Sequence, residues 1–306
     1  MNKDRFQGVF ASIPTFLTEN YEIRYDRMRE HLNWLIEHGI REGNAVLLAA
    51  TGAGEAYFLE EEEHKKTMKL LVETADGKVP TMTGLYELSA RAAVRKAKYA
   101  ADVGVDSLQV NPPHYTLPTD DEVYEYYKSI NDAADIGIMI YNSPWCVGFE
   151  VRAPLMARLV ELDNVIGAKW SSFDFGNFVD VLKKFADKIN FIDNMGTVLG
   201  HMLGMKGFIS DWVNFNPELD LKLWELLKKK DYLGYMKEHD RTHDWMKEVY
   251  SSLGWSSFLA DGTPLKAVWE AAGLDVGPPF PPQKRIPKED VAKIREIMLR
   301  GGILPK

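Results

Sequence analysis

Ile138-Met139-Ile140-Tyr141-Asn142-Ser143-Pro144 is followed, across one helical pattern, by Val165-Ile166-Gly167-Ala168-Lys169-Trp170. Both stretches are short continuous apolar runs, as expected of parallel strands buried on both faces. Both also end on a side chain foreign to a core, the phenol of Tyr141 and the amine of Lys169. Burying an ammonium is costly unless it is paired or neutral, so such a lysine is driven toward the neutral form. A neutral amine is a nucleophile that can form a Schiff base with a carbonyl.

The same β-α-β unit repeats outward in both directions. The pattern predicts strands at Gly8–Ile13, Ala45–Ala50, Val79–Gly84, Asp106–Val110, Ile136–Tyr141, Val165–Lys169, Ile189–Asp193 and Gly207–Ser210. Helical patterns lie between them at Arg24–His38, Glu60–Thr74, Ala90–Val103, Asp120–Ala134, Pro154–Leu162 and Val179–Ala186. Eight strands with intervening helices predict an α/β fold, a (β/α)8 TIM barrel. An open doubly wound sheet is the rival, but no Gly-x-Gly-x-x-Gly follows the first strand.

Four further helical segments follow the eighth strand, at Leu219–Lys229, Tyr232–Tyr250, Ser257–Ala272 and Lys288–Arg300. A barrel needs one of them, so residues 1–230 are assigned to the barrel that carries the site and 231–306 to a C-terminal helical extension. Gly277-Pro278-Pro279-Phe280-Pro281-Pro282 reads as a stiff spacer.

Of 306 residues, 37 are Lys or Arg and 45 are Asp or Glu, a formal net charge of −8. An acidic chain without a basic stripe argues against nucleic acid or an anionic membrane as partner. No apolar run approaches a bilayer span, and the first residues lack the apolar core of a secretion signal. Cys146 is the single cysteine, which excludes an internal disulfide and predicts a cytoplasmic setting.

In barrel enzymes the chemistry sits at the C-terminal ends of strands. Those positions are Pro14 and Thr15, Thr51 to Glu55, Gly84, His114 and Tyr115, Tyr141, Lys169, Asn194, and Ser210 to Trp212. They hold an imine-forming amine, two phenols and a glycine-rich turn, and no cluster suited to a metal. A strand-end lysine can equally be solvated, but Gly167 and Ala168 leave room beside Lys169, and Tyr141 ends the adjacent strand. A Schiff base turns C2 of a 2-oxo acid into an electron sink, and a tyrosine hydroxyl within reach can shuttle the protons.

Thr51-Gly52-Ala53-Gly54-Glu55 brings backbone N–H groups close to an anion, or is simply a βα turn. Glu60-Glu61-Glu62-Glu63-His64 reads as a solvated helix start, and Lys228-Lys229-Lys230 as a solvated helix end. His239 and His243 lie one helical turn apart but lack the zincin glutamate and fall in the extension, so no metal site is assigned. Trp224, Trp245, Trp255 and Trp269 read as core or interface residues of helices.

Taken together, Gly54-Glu55 with Leu59 and Glu62-Glu63-His64, Pro112-Pro113-His114-Tyr115, Tyr141-Asn142-Ser143-Pro144, Gly167-Ala168-Lys169 and Gly207-Phe208-Ile209-Ser210 form an ordered pattern over nearly the whole chain. It resembles the dihydrodipicolinate synthase / N-acetylneuraminate lyase family of class I pyruvate-dependent aldolases. The resemblance implies an eight-stranded barrel and a homotetramer built from dimers. It implies Lys169 as the Schiff-base lysine, Tyr141 as the proton-shuttling tyrosine, and Tyr115 as the tyrosine that completes a neighbouring subunit's site. It implies no cofactor beyond the covalent imine.

The departures bear on substrate. The family commonly has Gly-Thr-Thr-Gly-Glu or Gly-Ser-Thr-Gly-Glu where this chain has Thr51-Gly52-Ala53-Gly54-Glu55. Both hydroxyl positions are gone, and the relay would need Thr51, a substrate hydroxyl or a water. Gly52 and Ala53 N–H groups could still hold a carboxylate. In dihydrodipicolinate synthases an arginine stands two residues after Tyr-Asn-x-Pro and binds a second carboxylate, whereas here the position is Cys146. Ile192-Asp193-Asn194-Met195 is bulkier and less acidic than the sugar-binding run of sialic acid lyases, while Ser171, two residues after Lys169, follows the lyase pattern. Asn194 and Ile209 complete the expected substrate contacts. Trp145, Trp170, Phe173 and Trp212 are expected around the distal part of the substrate, which points to an apolar or aromatic aldehyde.

The expected activity is a Schiff-base lyase that joins or cleaves a 2-oxo acid such as pyruvate and an aldehyde, and not the lysine-biosynthetic reaction. The alternatives are a 2-keto-3-deoxy sugar-acid dehydratase using the same lysine and, from another class, an inactive member that only binds 2-oxo acids.

Overall fold

The computed structural model describes residues 2–254 and 262–304. Eight parallel strands close into a barrel in sequence order: β1 (Gly8–Ser12), β2 (Ala45–Ala49), β3 (Thr81–Leu85), β4 (Ser107–Val110), β5 (Gly137–Asn142), β6 (Val165–Trp170), β7 (Asn190–Asp193) and β8 (Gly207–Ser210). The outer helices are α1 (Tyr25–Glu37), α2 (Glu61–Ala75), α3 (Ala90–Asp102), α4 (Asp120–Asn131), α5 (Pro144–Val147), α6 (Ala153–Leu159), α7 (Phe175–Phe185), α8 (Val198–Met202) and α9 (Pro217–Lys228). The chain continues with α10 (Tyr232–Leu253), α11 (Thr263–Ala272) and α12 (Lys288–Arg300). Among the described residues, no helix is long and apolar enough to cross a membrane.

Alternation along each strand decides what faces the barrel axis. On β4, Leu108 and Val110 join the layer under the helices, which leaves Ser107 and Gln109 facing inward. On β5, Ile138 and Ile140 face outward, while Met139 faces inward with Tyr141 two residues on. The register pairs Tyr141 with Lys169, so both chemically expected residues leave the barrel at one level. Phe6, Phe10, Val46, Leu48, Met82, Met139, Ile166 and Ile192 fill the interior beneath them. The barrel is therefore solid below the site, and only its C-terminal mouth is open.

Three local readings differ from the sequence pattern, and one is described only in part. The helix expected from Val179 begins at Phe175, because the Asp174 side chain accepts the Asn177 N–H at 3.1 Å as an N-cap. The short helices α5 and α8 were not expected. The helix expected over Ser257–Ala272 is seen from Thr263, its first part lying outside the described residues. The segment read as a spacer is buried from Gly277 to Phe280, and a Cβ at Gly277 would lie 2.1 Å from Leu17 O. It packs against the barrel rather than bridging open space.

Candidate active site

A cavity of about 850 Å³ opens at the C-terminal mouth of the barrel. Its size suits a small substrate. Lys169 reaches it from β6, and its Nζ stands 4.7 Å from the centroid of the Tyr141 ring on β5. Tyr141 is buried except for its edge on the cavity, and its hydroxyl donates to Cys146 Sγ at 3.6 Å. Cys146 is on α5, which Pro144 starts at its first position and Gly148 ends in the left-handed region. This single turn brings Trp145 and Cys146 to the wall of the cavity that Lys169 enters.

Opposite lies the turn after β2. Thr51, Gly52 and Ala53 all line the cavity, as the pattern predicts. A Cβ at Gly54 would lie 3.0 Å from Ile13 O and 3.2 Å from Ala50 N, so any larger residue would press on two backbone atoms. Glu55, at φ 54°, turns away from the cavity and is fully buried. It accepts the Phe280 N–H at 2.9 Å and forms a 2.9 Å ion pair with buried Lys266 of α11. Burial lowers the Lys266 pKa, and Glu55 opposes that shift. Lys266 also donates to Pro278 O at 2.8 Å. The C-terminal segment thus anchors the turn that forms one wall of the site.

Tyr86, one residue past β3, was not expected here. Its hydroxyl accepts the Gly52 N–H at 3.2 Å and donates to Gln109 Oε1 at 2.7 Å, and its ring meets that of Tyr141 edge-on at 5.7 Å. The Gly52 N–H expected to hold a carboxylate is therefore directed to a phenol. Gly84 makes the approach possible: a Cβ there would lie 2.3 Å from Ala50 O and 2.6 Å from Tyr86 Cε2.

Asn194, Ile209 and Trp145 line the cavity as expected, joined by Phe173 and Trp212. Trp145 and Phe173 meet edge-on at 5.4 Å. Trp170 does not take part. It is wholly buried under the helices against Phe191, because it faces outward at the end of β6. Ser171 also departs from expectation: it is buried outside the cavity wall and donates to Asn142 O at 2.7 Å, joining β5 to β6. Tyr115 is 85% exposed on the loop after β4, away from its own chain's cavity.

Met246 and Tyr250 of α10 and Leu265 of α11 close the outer rim, where the sequence placed only an extension remote from the strand ends. Ser210 is structural. It donates to Asp220 Oδ2 at 2.6 Å and accepts the Trp212 and Val213 N–H groups at 3.1 Å each. Asp220 is fully buried, and burial raises its carboxyl to about 7 against the opposing Ser210 hydrogen bond. Asp193 accepts the Met195 and Thr197 N–H groups, shaping the turn that presents Asn194. Among the described residues no group of three or more side chains could hold a metal. His239 and His243 stack at 3.8 Å.

The arrangement is an amine and a phenol at neighbouring strand ends, above a filled barrel. The pattern of the dihydrodipicolinate synthetase family matches residues 5–299. The chain belongs to this family.

Among its relatives, the 4-hydroxy-tetrahydrodipicolinate synthase of Rhodopseudomonas palustris is 31% identical over 303 residues, 98% of either chain. The dihydrodipicolinate synthase of Aquifex aeolicus shares the fold at 24% identity, with a TM-score of 0.88 over 98% of this chain and 100% of that one. The chloride-inhibited dihydrodipicolinate synthase of Acinetobacter baumannii, solved with pyruvate, aligns at 22% identity with a TM-score of 0.86, again over 98% and 100%.

Within this dihydrodipicolinate synthetase family member, the landmark His64 is not part of a solvated helix start. Glu60 to Glu63 form that start, with the Glu60 N–H donating to Glu63 Oε2 at 2.9 Å. His64 is buried, with its Nε2 3.0 Å from Thr83 Oγ1, and burial lowers its pKa to about 3. Trp224, Trp245 and Trp269 are core residues as read, and Trp255 lies outside the described residues.

Proposed function

We propose that this protein is a Schiff-base lyase that condenses a 2-oxo acid with an aldehyde, or cleaves the product. The observation that carries the reading is Lys169 Nζ over the Tyr141 ring, at adjacent strand ends in the cavity. The Acinetobacter baumannii dihydrodipicolinate synthase, which was solved in complex with pyruvate, supports a 2-oxo acid as the first substrate.

In the proposed reaction, the Lys169 amine adds to C2 of the 2-oxo acid, and the carbinolamine loses water to leave an imine. Loss of a C3 proton gives an enamine, whose C3 attacks the aldehyde carbon while the aldehyde oxygen takes up a proton. Water then hydrolyses the imine and frees Lys169. Tyr141 moves the protons at the carbinolamine and at the new alkoxide. No further cofactor is required.

The aldehyde is proposed to be apolar or aromatic, because Trp145, Phe173 and Trp212 wall the cavity with Met246 and Leu265. The proposed reaction differs from that named for the Rhodopseudomonas palustris relative. Cys146, where an arginine would pair with a second carboxylate, is uncharged when protonated and holds the Tyr141 hydroxyl. We further propose a homotetramer of paired dimers, in which exposed Tyr115 and Leu117 are covered by a second copy.

Borohydride reduction with pyruvate, followed by peptide mass mapping, tests the chemistry. A reduced adduct on Lys169 is expected, and its absence where a control aldolase is labelled would refute the proposal. A panel of aromatic, aliphatic and sugar aldehydes then identifies the second substrate.

A further inference from the structure

Gln109 is 1% exposed, faces inward from β4 and lines the same cavity as Lys169. Its two polar atoms are in unlike situations. Oε1 receives the Tyr86 hydroxyl at 2.7 Å. Nε2 has no hydrogen-bond partner among the described residues, although it is buried. Buried polar atoms in native proteins are overwhelmingly paired, so a donor left over on a residue of the cavity wall calls for an acceptor from outside the chain.

Tyr86 determines how the amide is turned. A phenol has one proton to give, and its oxygen already accepts the Gly52 N–H at 3.2 Å. The proton therefore goes to the amide oxygen, which leaves the NH2 group as the free end. Gly52 occupies one of the family's two hydroxyl positions, and the Tyr86 phenol stands at its backbone. One carboxylate donor, the Gly52 N–H, is thus spent inside the protein. A second, Gln109 Nε2, is supplied one hydroxyl further along the same chain of hydrogen bonds.

We propose that Gln109 is a substrate-binding residue whose side-chain NH2 donates to the carboxylate of the 2-oxo acid, with Tyr86 as the positioning residue that orients it. An NH2 group only donates, which selects an acceptor, and a carboxylate is the strongest acceptor in this substrate class. The proposal rests on the reading of the cavity as a 2-oxo acid site but not on formation of the imine.

Pyruvate binding by isothermal titration in a Lys169→Ala background separates the two. Adding Gln109→Leu is expected to weaken pyruvate binding roughly tenfold or more, the usual scale for one hydrogen bond to a charged group. Gln109→Glu, nearly isosteric, should weaken it further by facing one carboxylate with another. In the Lys169-containing protein, Tyr86→Phe should raise the half-saturating pyruvate concentration for borohydride trapping. It should leave trapping of acetone, which has no carboxylate, unchanged. Equal pyruvate affinity in all three backgrounds, with unchanged thermal unfolding, would overturn the assignment, as would parallel losses for pyruvate and acetone. If pyruvate binds but no adduct forms on Lys169, the imine reading fails while the carboxylate contact stands. If pyruvate does not bind the Lys169→Ala protein at all, the assignment is overturned.

Discussion

Lys169 Nζ lies over the face of the Tyr141 ring, 4.7 Å from its centroid, while the Tyr141 hydroxyl is directed to Cys146 Sγ, 3.6 Å away. Amine and phenol thus share one small volume, with the amine over the ring face and the hydroxyl directed away from it. Lys169→Ala should abolish both the borohydride-trapped adduct and turnover. Tyr141→Phe should leave the amine in place, so the adduct still forms but more slowly, and kcat should fall roughly 10²–10⁴-fold with loss of the proton shuttle. Undiminished turnover in Tyr141→Phe would remove the tyrosine from this role.

Cys146 is exposed at the cavity and is also the acceptor of the Tyr141 hydroxyl. Alkylation with iodoacetamide should place its adduct beside the phenol and reduce turnover at least tenfold. Saturating 2-oxo acid should slow the modification. Mass spectrometry and activity measured on the same samples check this. A fully alkylated protein with full activity would show that the Tyr141–Cys146 hydrogen bond is not needed for the reaction.

The barrel was legible because its strands are continuous apolar runs with polar ends, and Lys169 and Tyr141 were legible because they are those ends. Helices α5 and α8, at four and five residues, are too short to show a period. Tyr86 follows β3 in a stretch without periodicity, and its importance comes from Gly52 in the turn after β2 and Gln109 on β4. Glu55 and Lys266 are joined only by the fold, as are Met246 and Tyr250 at the cavity rim. Trp170 and Ser171 were misassigned for a related reason: past Lys169, side-chain direction is set by the end of β6 and its link to Asn142.

Gly84 carries a further prediction. A Cβ there meets the Ala50 carbonyl oxygen, a backbone atom that cannot swing aside, and the Tyr86 ring. Gly84→Ala should destabilise the protein by about 1–3 kcal/mol, the usual scale of overpacking. It should also displace Tyr86 and so raise KM for the 2-oxo acid. Thermal unfolding and steady-state kinetics read the two effects separately, and an unchanged KM would disconnect Tyr86 from the site.

The buried Glu55–Lys266 pair predicts strong non-additivity. Lys266→Met alone leaves a carboxylate with one backbone donor in the core, and Glu55→Gln alone leaves an ammonium facing an amide and Pro278 O. Breaking such a pair from one side typically costs about 3–5 kcal/mol. The double variant Glu55→Gln/Lys266→Met removes both charges and should be more stable than the sum of the single losses implies. A double-mutant cycle by chemical denaturation measures the coupling, and simple additivity would mean that the pair does not interact in solution.

Asp220 makes stability depend on pH in a defined direction. Burial raises its carboxyl from the ordinary 3.8 to about 7 in the folded protein. Between those values the folded state holds a proton that the unfolded state has released, so this group's contribution to stability is full below about 4. It declines as pH rises toward 7. Buried His64 acts oppositely: with its folded value near 3, its contribution to stability is lost as pH falls below the ordinary histidine value. The two effects overlap in the wild-type protein, so the difference between variants is the informative quantity. Asp220→Asn keeps an acceptor for the Ser210 hydroxyl and removes the ionisation. Its stability relative to wild type should therefore rise steadily between pH 4 and 7 and level off above. Thermal unfolding of both proteins across that range tests this. A constant difference would mean that Asp220 keeps an ordinary carboxylate pKa, and that the turn carrying Trp212 is held by a charged group rather than a neutral one.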